Sequence, residues 1–162
     1  MLMRKRAWDL MRENYTRVDE STSLTEVIRL VREAVGKEAD NHICLVFGKD
    51  GQFKGVITMW GVLRHLESCV FTDEIIRDFA DNNWDQAFGA ACRACAEKGI
   101  LDLVENSFPE VRPNDPLVMV LGEFLGHRRG WAVVRESGKV LGVILKADVF
   151  REIAGDVLST FA

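Results

Sequence analysis

Gly55-Val56-Ile57-Thr58-Met59-Trp60-Gly61-Val62-Leu63-Arg64 reads as an apolar strand running straight into a helix. The chain writes it again as Gly142-Val143-Ile144-Leu145-Lys146-Ala147-Asp148-Val149-Phe150-Arg151. Gly142 stands 87 positions after Gly55. Upstream of each, Trp8 to Leu24 (WDLMRENYTRVDESTSL) returns as Leu101 to Leu117 (LDLVENSFPEVRPNDPL), with Asp102 standing 93 positions after Asp9. At that offset Leu10 meets Leu103, Tyr15 meets Phe108 and Val18 meets Val111. Self-similarity on this scale means a duplicated supersecondary unit, the second copy slightly shorter after its first long helix.

Each copy predicts the same elements. A turn leads to a short extended segment, and Pro109 biases Phe108 away from helix. A helix follows. Ser23 with Glu26 three residues on is a capping-box pattern. In the second copy Asp115 is the candidate N-cap and Pro116 the first helical residue. The apolar sets Leu24, Val27, Ile28, Val31 and Leu117, Val120, Leu121, Phe124 both fall at i, i+3, i+4, i+7, one buried face. Then come hairpins. Ile43 to Phe47 turns through Gly48-Lys49-Asp50-Gly51 into residues 53–58, and Trp131 to Arg135 turns through Glu136-Ser137-Gly138 into residues 140–145. Each return strand enters a last helix. The fold class is therefore α+β with mixed sheets, as two β-α-β-β-α repeats. Repeat one covers residues 4–67, a helical connection 68–97 and repeat two 98–156. Neither copy buries both faces of a three-stranded sheet, so the copies are expected to pack face to face. In the connection, Thr72 is expected to cap a short helix with Ile75, Ile76 and Phe79, broken at Asp81-Asn82-Asn83. Trp84 to Lys98 reads as an Ala-rich helix closed by Gly99.

Composition narrows the function. The 162 residues carry 21 Lys+Arg against 25 Asp+Glu, a formal charge of -4, with 48% hydrophobic residues. An acidic balance gives no general attraction to nucleic acid. The longest uncharged run, Gly55 to Leu63, is under half of the about 20 residues that span a bilayer. Asp9 interrupts any apolar signal region, so a cytoplasmic location without membrane is expected. The four cysteines are then expected as reduced thiols.

The ordered set, found twice, resembles the CBS domain, and two in tandem resemble a Bateman module. The resemblance implies a regulatory protein and not an enzyme, a homodimer, and an adenosyl small molecule in clefts between the repeats: AMP, ADP, ATP or S-adenosylmethionine as regulatory ligand, with no cofactor required. Signalling would then pass to a separate, unidentified regulated protein. The family's ligand motif is Gly-apolar-x-Ser/Thr-x-x-Asp, whose carboxylate accepts from ribose hydroxyls while the strand–helix junction suits phosphate. Both copies depart from it. The first keeps Thr58 but has Gly61 in place of the carboxylate. The second keeps Asp148 but has Leu145 in place of the hydroxyl. The second is preferred, with Lys146, Ala147 and Arg129 nearby, and Pro109, Val111 and Trp131 at its apolar side, Val111 and Trp131 sandwiching a base. At the first cleft Thr16, Val18, His42 and Thr58 hold the corresponding places.

Plainer readings stand beside these. Asp148 is also a good helix cap, and Lys146 and Arg128 are ordinary surface charges. Loss of the hydroxyl in one copy and the carboxylate in the other also fits a ligand-free structural dimerisation module. Cys92-Arg93-Ala94-Cys95 is a C-x-x-C and opens a thiol redox or metal-binding alternative. It lies inside a helix and lacks a second pair, so buried helix cysteines are the preferred reading.

Overall fold

The computed structural model describes residues 4–70 and 84–161. The helix expected from Thr72 and its break at Asp81-Asn82-Asn83 lie outside the described residues. Repeat one comprises α1 (Ala7–Leu10), β1 (Arg17–Asp19), α2 (Leu24–Lys37), β2 (Ile43–Phe47), β3 (Phe53–Thr58) and α3 (Met59–Val70). The connecting helix is α4 (Trp84–Ala96). Repeat two opens with a 3-10 turn (Leu101–Leu103) and continues with β4 (Glu110–Val111), α5 (Leu117–His127), β5 (Trp131–Glu136), β6 (Lys139–Leu145) and α6 (Lys146–Phe161).

The two sheets share one topology, β1-β2-β3 and β4-β5-β6. In each, the first pair is parallel, Val18 beside Val46 and Val111 beside Val134, while the hairpin is antiparallel. A parallel pair needs a crossover, which α2 and α5 supply. Ser23 caps α2 as expected, accepting from the Glu26 N–H at 3.3 Å. At α5 the cap falls one residue later than expected. Pro116 is the N-cap, and the Asp115 carboxylate instead accepts from the Arg112 N–H at 2.8 Å.

Strand alternation divides the apolar residues into layers. Ile43, Leu45, Phe47 and Val56 meet Trp131, Val133, Val143 and Leu145 between the sheets, so the repeats do pack sheet to sheet. The opposite faces pack on helices: Cys44, Val46 and Ile57 with Val27 and Val31 of α2, and Ala132, Val134 and Ile144 with Val120 and Phe124 of α5. Each helical layer is completed by the other repeat. Ala7 and Leu10 lie in the core of repeat two, and Ile100 and Leu103 in that of repeat one.

This exchange requires each linker to cross the partner's return strand. Arg12 exchanges backbone hydrogen bonds with Val143 (2.7 and 3.0 Å), and Glu105 does so with Val56 (2.8 and 3.1 Å). The crossings sit beside Gly142 and Gly55. A Cβ on Gly142 would meet the Arg12 carbonyl oxygen at 2.6 Å. One on Gly55 would strike that of Glu105, at a φ of +150° that side chains resist. The glycine that opens the repeated Gly-Val-Ile stretch thus makes room for one close approach between the two repeats' backbones.

Candidate functional site

The polar groups gather where β3 meets α3 and β6 meets α6. Both junctions are pinned alike: the Met59 N–H donates to His42 O at 2.9 Å, and the Lys146 N–H to Gly130 O at 2.8 Å. The free N–H groups of the following turn are then satisfied differently. In repeat one Thr58, buried, accepts from Gly61 N at 2.9 Å and caps α3. Repeat two has Leu145 there, turned into the core between the sheets. Asp40 of repeat one takes over the role, accepting from Ala147 N at 3.0 Å with Lys146 Nζ 3.7 Å away. A carboxylate at a helix N-terminus is favoured by the helix dipole.

Asp148 is buried in the first turn of α6. It does not cap the helix. Both its oxygens accept from Arg12, Nε to Oδ2 and Nη2 to Oδ1, each at 2.8 Å, and Arg151 Nη1 adds a contact at 3.2 Å. Arg12 also grips Glu38 at the end of α2, with Nη2 2.7 Å from Oε1 and a second, closer contact through Nη1. Burial by itself raises the Asp148 pKa. The hydrogen bonds and charge of Arg12, and then Arg151, outweigh it and hold the carboxyl below its ordinary value. The same bonds to Asp148 and Glu38 raise the pKa of Arg12.

The first cleft repeats the arrangement with the charges reversed. Glu105 occupies the linker place of Arg12. Its carboxylate accepts from Arg129 Nη2 at 2.9 Å and lies 3.8 Å from Arg64. A Cβ on Gly61 would lie 3.9 Å from Glu105 Oε1. The carboxylate that repeat one lacks at Gly61 is therefore supplied by the linker of repeat two.

The candidates disperse accordingly. Arg129 lies on Glu105 at the first cleft, not beside Asp148. The base sandwich of Val111 and Trp131 is overturned by sheet geometry. Val111 faces α5, while Trp131 lies between the sheets near Phe108, ring centroids 6.2 Å apart. Val18 likewise faces α2. Pro109 is buried and accepts from Val133 N at 2.9 Å. Thr16, with Arg12, Tyr15, Lys37, Glu38 and Asn41, lines a cavity of about 830 Å³. Asn41 Oδ1 is buried with no hydrogen-bond partner. A smaller cavity, about 350 Å³, opens at Gly61, Arg64 and Glu105. Arg12, Glu38, Asp40, Arg64 and Glu105 went unnoticed in the sequence. The 93-residue offset that pairs Asp9 with Asp102 also pairs Arg12 with Glu105, and that charge reversal was the available signal.

One disulfide overturns the expectation of four reduced thiols. Cys69 of α3 is joined to Cys95 of α4 in a disulfide, while Cys92 and Cys44 are free. Cys95 is buried against α3, in line with the preferred reading of buried helix cysteines, whereas Cys92 is half-buried and unpaired. Among the described residues no helix is long and apolar enough to cross a membrane.

Two β-α-β-β-α repeats packed sheet to sheet, with polar clefts at the strand–helix junctions, define a CBS-domain pair. The sequence model of the CBS domain matches residues 7–68 and 101–155, and the chain belongs to that family. A search of curated protein sequences found no match. Solved structures share the fold. An uncharacterized conserved protein from Pyrococcus horikoshii superposes with a TM-score of 0.69 at 20% identity, covering 94% of this chain and 95% of that one. A putative acetoin utilization protein (AcuB) from Vibrio cholerae gives 0.67 at 15% identity, covering 96% and 93%. The cytosolic domain of the Mg2+ channel MgtE in complex with ATP gives 0.63 at 18% identity, covering 91% of this chain and 48% of that one.

Proposed function

We propose that this CBS pair is a regulatory sensor that binds an adenosyl ligand at the Asp148 cleft and signals to a separate protein. The observation that carries the reading is the Arg12–Asp148 contact. A buried carboxylate at a strand–helix junction is gripped by a cation from the other repeat, and that cation lines a cavity of about 830 Å³. Vicinal ribose hydroxyls would compete with Arg12 for Asp148. Arg12, Arg151 and Lys146 would supply the cations for a phosphate, and Asn41 Oδ1 offers an unused acceptor. Because Arg12 and Asp148 belong to different repeats, exchanging one partner for a ligand changes how the repeats are held together. A ligand acts this way only through differential affinity for the two arrangements.

A thermal-shift screen with AMP, ADP, ATP and S-adenosylmethionine tests it. A ligand at about a hundred times its Kd stabilises the native state by about 2.7 kcal/mol. The shift is expected in the parent and in Gly61→Ala, and is lost in Asp148→Ala. No shift with any of the four ligands overturns the sensor reading.

The second reading, a ligand-free structural module, is favoured by a specific observation. Arg12 already engages both oxygens of Asp148, and Asp40 occupies the helix N-terminus that a phosphate would seek. Both readings include a homodimer, for which the exposed Trp60 and Leu63 on α3 and Phe150 and Leu158 on α6 are the candidate contacts. Light scattering on Trp60→Glu and Phe150→Glu tests this. The dimer reading requires the parent to be dimeric and the variants to shift to monomer.

A further inference from the structure

The contact between α3 and α4 is built around sulfur. His65 and Cys69 stand one turn apart on α3, with His65 Nε2 4.0 Å from Cys69 Sγ. Cys95 arrives from α4, only 1% exposed, joined to Cys69 and with its Sγ 3.8 Å from the His65 carbonyl oxygen. The imidazole nitrogen and the two sulfurs all lie within 4.8 Å of one another. Beside them opens a cavity of about 340 Å³, lined by Ser68, Ala91, Ala94 and Lys98 together with the three ligand-bearing residues.

A disulfide requires two sulfurs and has no use for an imidazole. The i, i+4 spacing of His65 and Cys69 puts both side chains on one helix face, aimed at Cys95. Two thiolates and a neutral imidazole are a donor set for a thiophilic divalent cation. We propose that the reduced form of this cluster, His65 Nε2 with Cys69 Sγ and Cys95 Sγ, is a binding site for zinc or a cation of its class. The fourth position opens to the cavity. The disulfide is the metal-free, oxidised form of the same site.

The chemistry balances with one co-reactant, a dithiol reductant. It donates two electrons to the Cys69–Cys95 bond, which breaks to give two protein thiols, and leaves as its own disulfide. The cation then displaces the two thiol protons to solvent and forms two bonds to sulfur and one to nitrogen. A tetrahedral zinc site, with bonds of about 2.0–2.3 Å, spaces its ligand atoms about 3.5 Å apart. The imidazole is already close to that spacing from Cys69, and the sulfurs are free to part once their bond is broken. Cys92, one turn before Cys95, takes no part.

The test titrates cobalt(II) into the full chain after reduction and removal of metal. One cobalt per chain is expected, with a thiolate-to-cobalt charge-transfer band that zinc abolishes. The oxidised chain shows no band. Cys69→Ser and Cys95→Ser lose it, His65→Ala binds at least about tenfold more weakly, and Cys92→Ser matches the parent. No band in the reduced parent overturns the proposal. So does full affinity in His65→Ala, or loss of the band in Cys92→Ser. The parent's titration decides the first point whether or not a variant folds, and circular dichroism qualifies the variants.

Discussion

Arg12 donates through Nε and Nη2 to the two oxygens of Asp148, each at 2.8 Å, although the residues lie at opposite ends of the chain. The pair joins the linker of repeat one to the last helix of repeat two, beside the backbone crossing of Arg12 and Val143. A two-pronged guanidinium–carboxylate contact is directional, so it fixes the angle between repeats as well as their contact.

Its energetic weight is measurable. The Arg12 side chain is 30% exposed, so its loss costs less than that of a fully buried pair. Arg12→Gln and Asp148→Asn are each expected to lower the unfolding free energy by about 1–2 kcal/mol. Because they remove one contact, the double variant should lose less than the sum. Urea denaturation of all four proteins checks this, and strict additivity would contradict the coupling.

The pair also gives a pH dependence with a definite sign. The Asp148 pKa is lower in the folded chain than the ordinary carboxylate value of about 4. A depressed carboxyl contributes stability fully above the unfolded value and loses it as pH falls through the folded one. Stability should therefore decline below about pH 4 more steeply in the parent than in Arg12→Gln. Equal slopes for the two proteins would remove Arg12 as the cause.

Gly142 permits the Arg12 crossing. A methyl group at 2.6 Å from the Arg12 carbonyl oxygen must push the linker away. Gly142→Ala is expected to cost about 1–3 kcal/mol, the usual range for overpacking. Gly122→Ala on α5, where nothing lies within 4 Å, should be neutral or stabilising. Thermal unfolding of both variants separates the close approach from a general effect of adding a methyl.

The two free thiols should differ in reactivity. Burial pushes the Cys44 thiol up to about 12, leaving it protonated at neutral pH, whereas Cys92 is partly exposed. Iodoacetamide with the native chain at neutral pH should label Cys92 alone. Cys44 should follow only after unfolding, as read by peptide mass mapping. Labelling of Cys44 in the folded chain would contradict its place under α2.

Much of the fold was legible because its signals are local. The i, i+3, i+4, i+7 faces of α2 and α5, the hairpins and the doubled Gly-Val-Ile stretch each lie within one short segment. The repeat supplied the pairing of sheets. The exchanged turns were not legible: Leu10 and Leu103 look like parts of their own repeats, and no local pattern says which core receives them. The same holds for the clefts. Asp148 and Gly61 were visible as motif positions, but Arg12 reaches Asp148, and Glu105 the space beside Gly61, across the repeat boundary.

By itself, then, the sequence determined that two β-α-β-β-α units share one core, because periodicity and turn residues act over a few positions. Only the tertiary structure decided which charges meet at each junction, that Val111 and Trp131 stand on opposite sides of a sheet, and that Cys95 turns to Cys69. Hydrogen bonds and sulfur contacts act over a few ångströms in space, whatever the distance along the chain. The crossing of each linker over the other repeat's return strand sets which residues come within that reach.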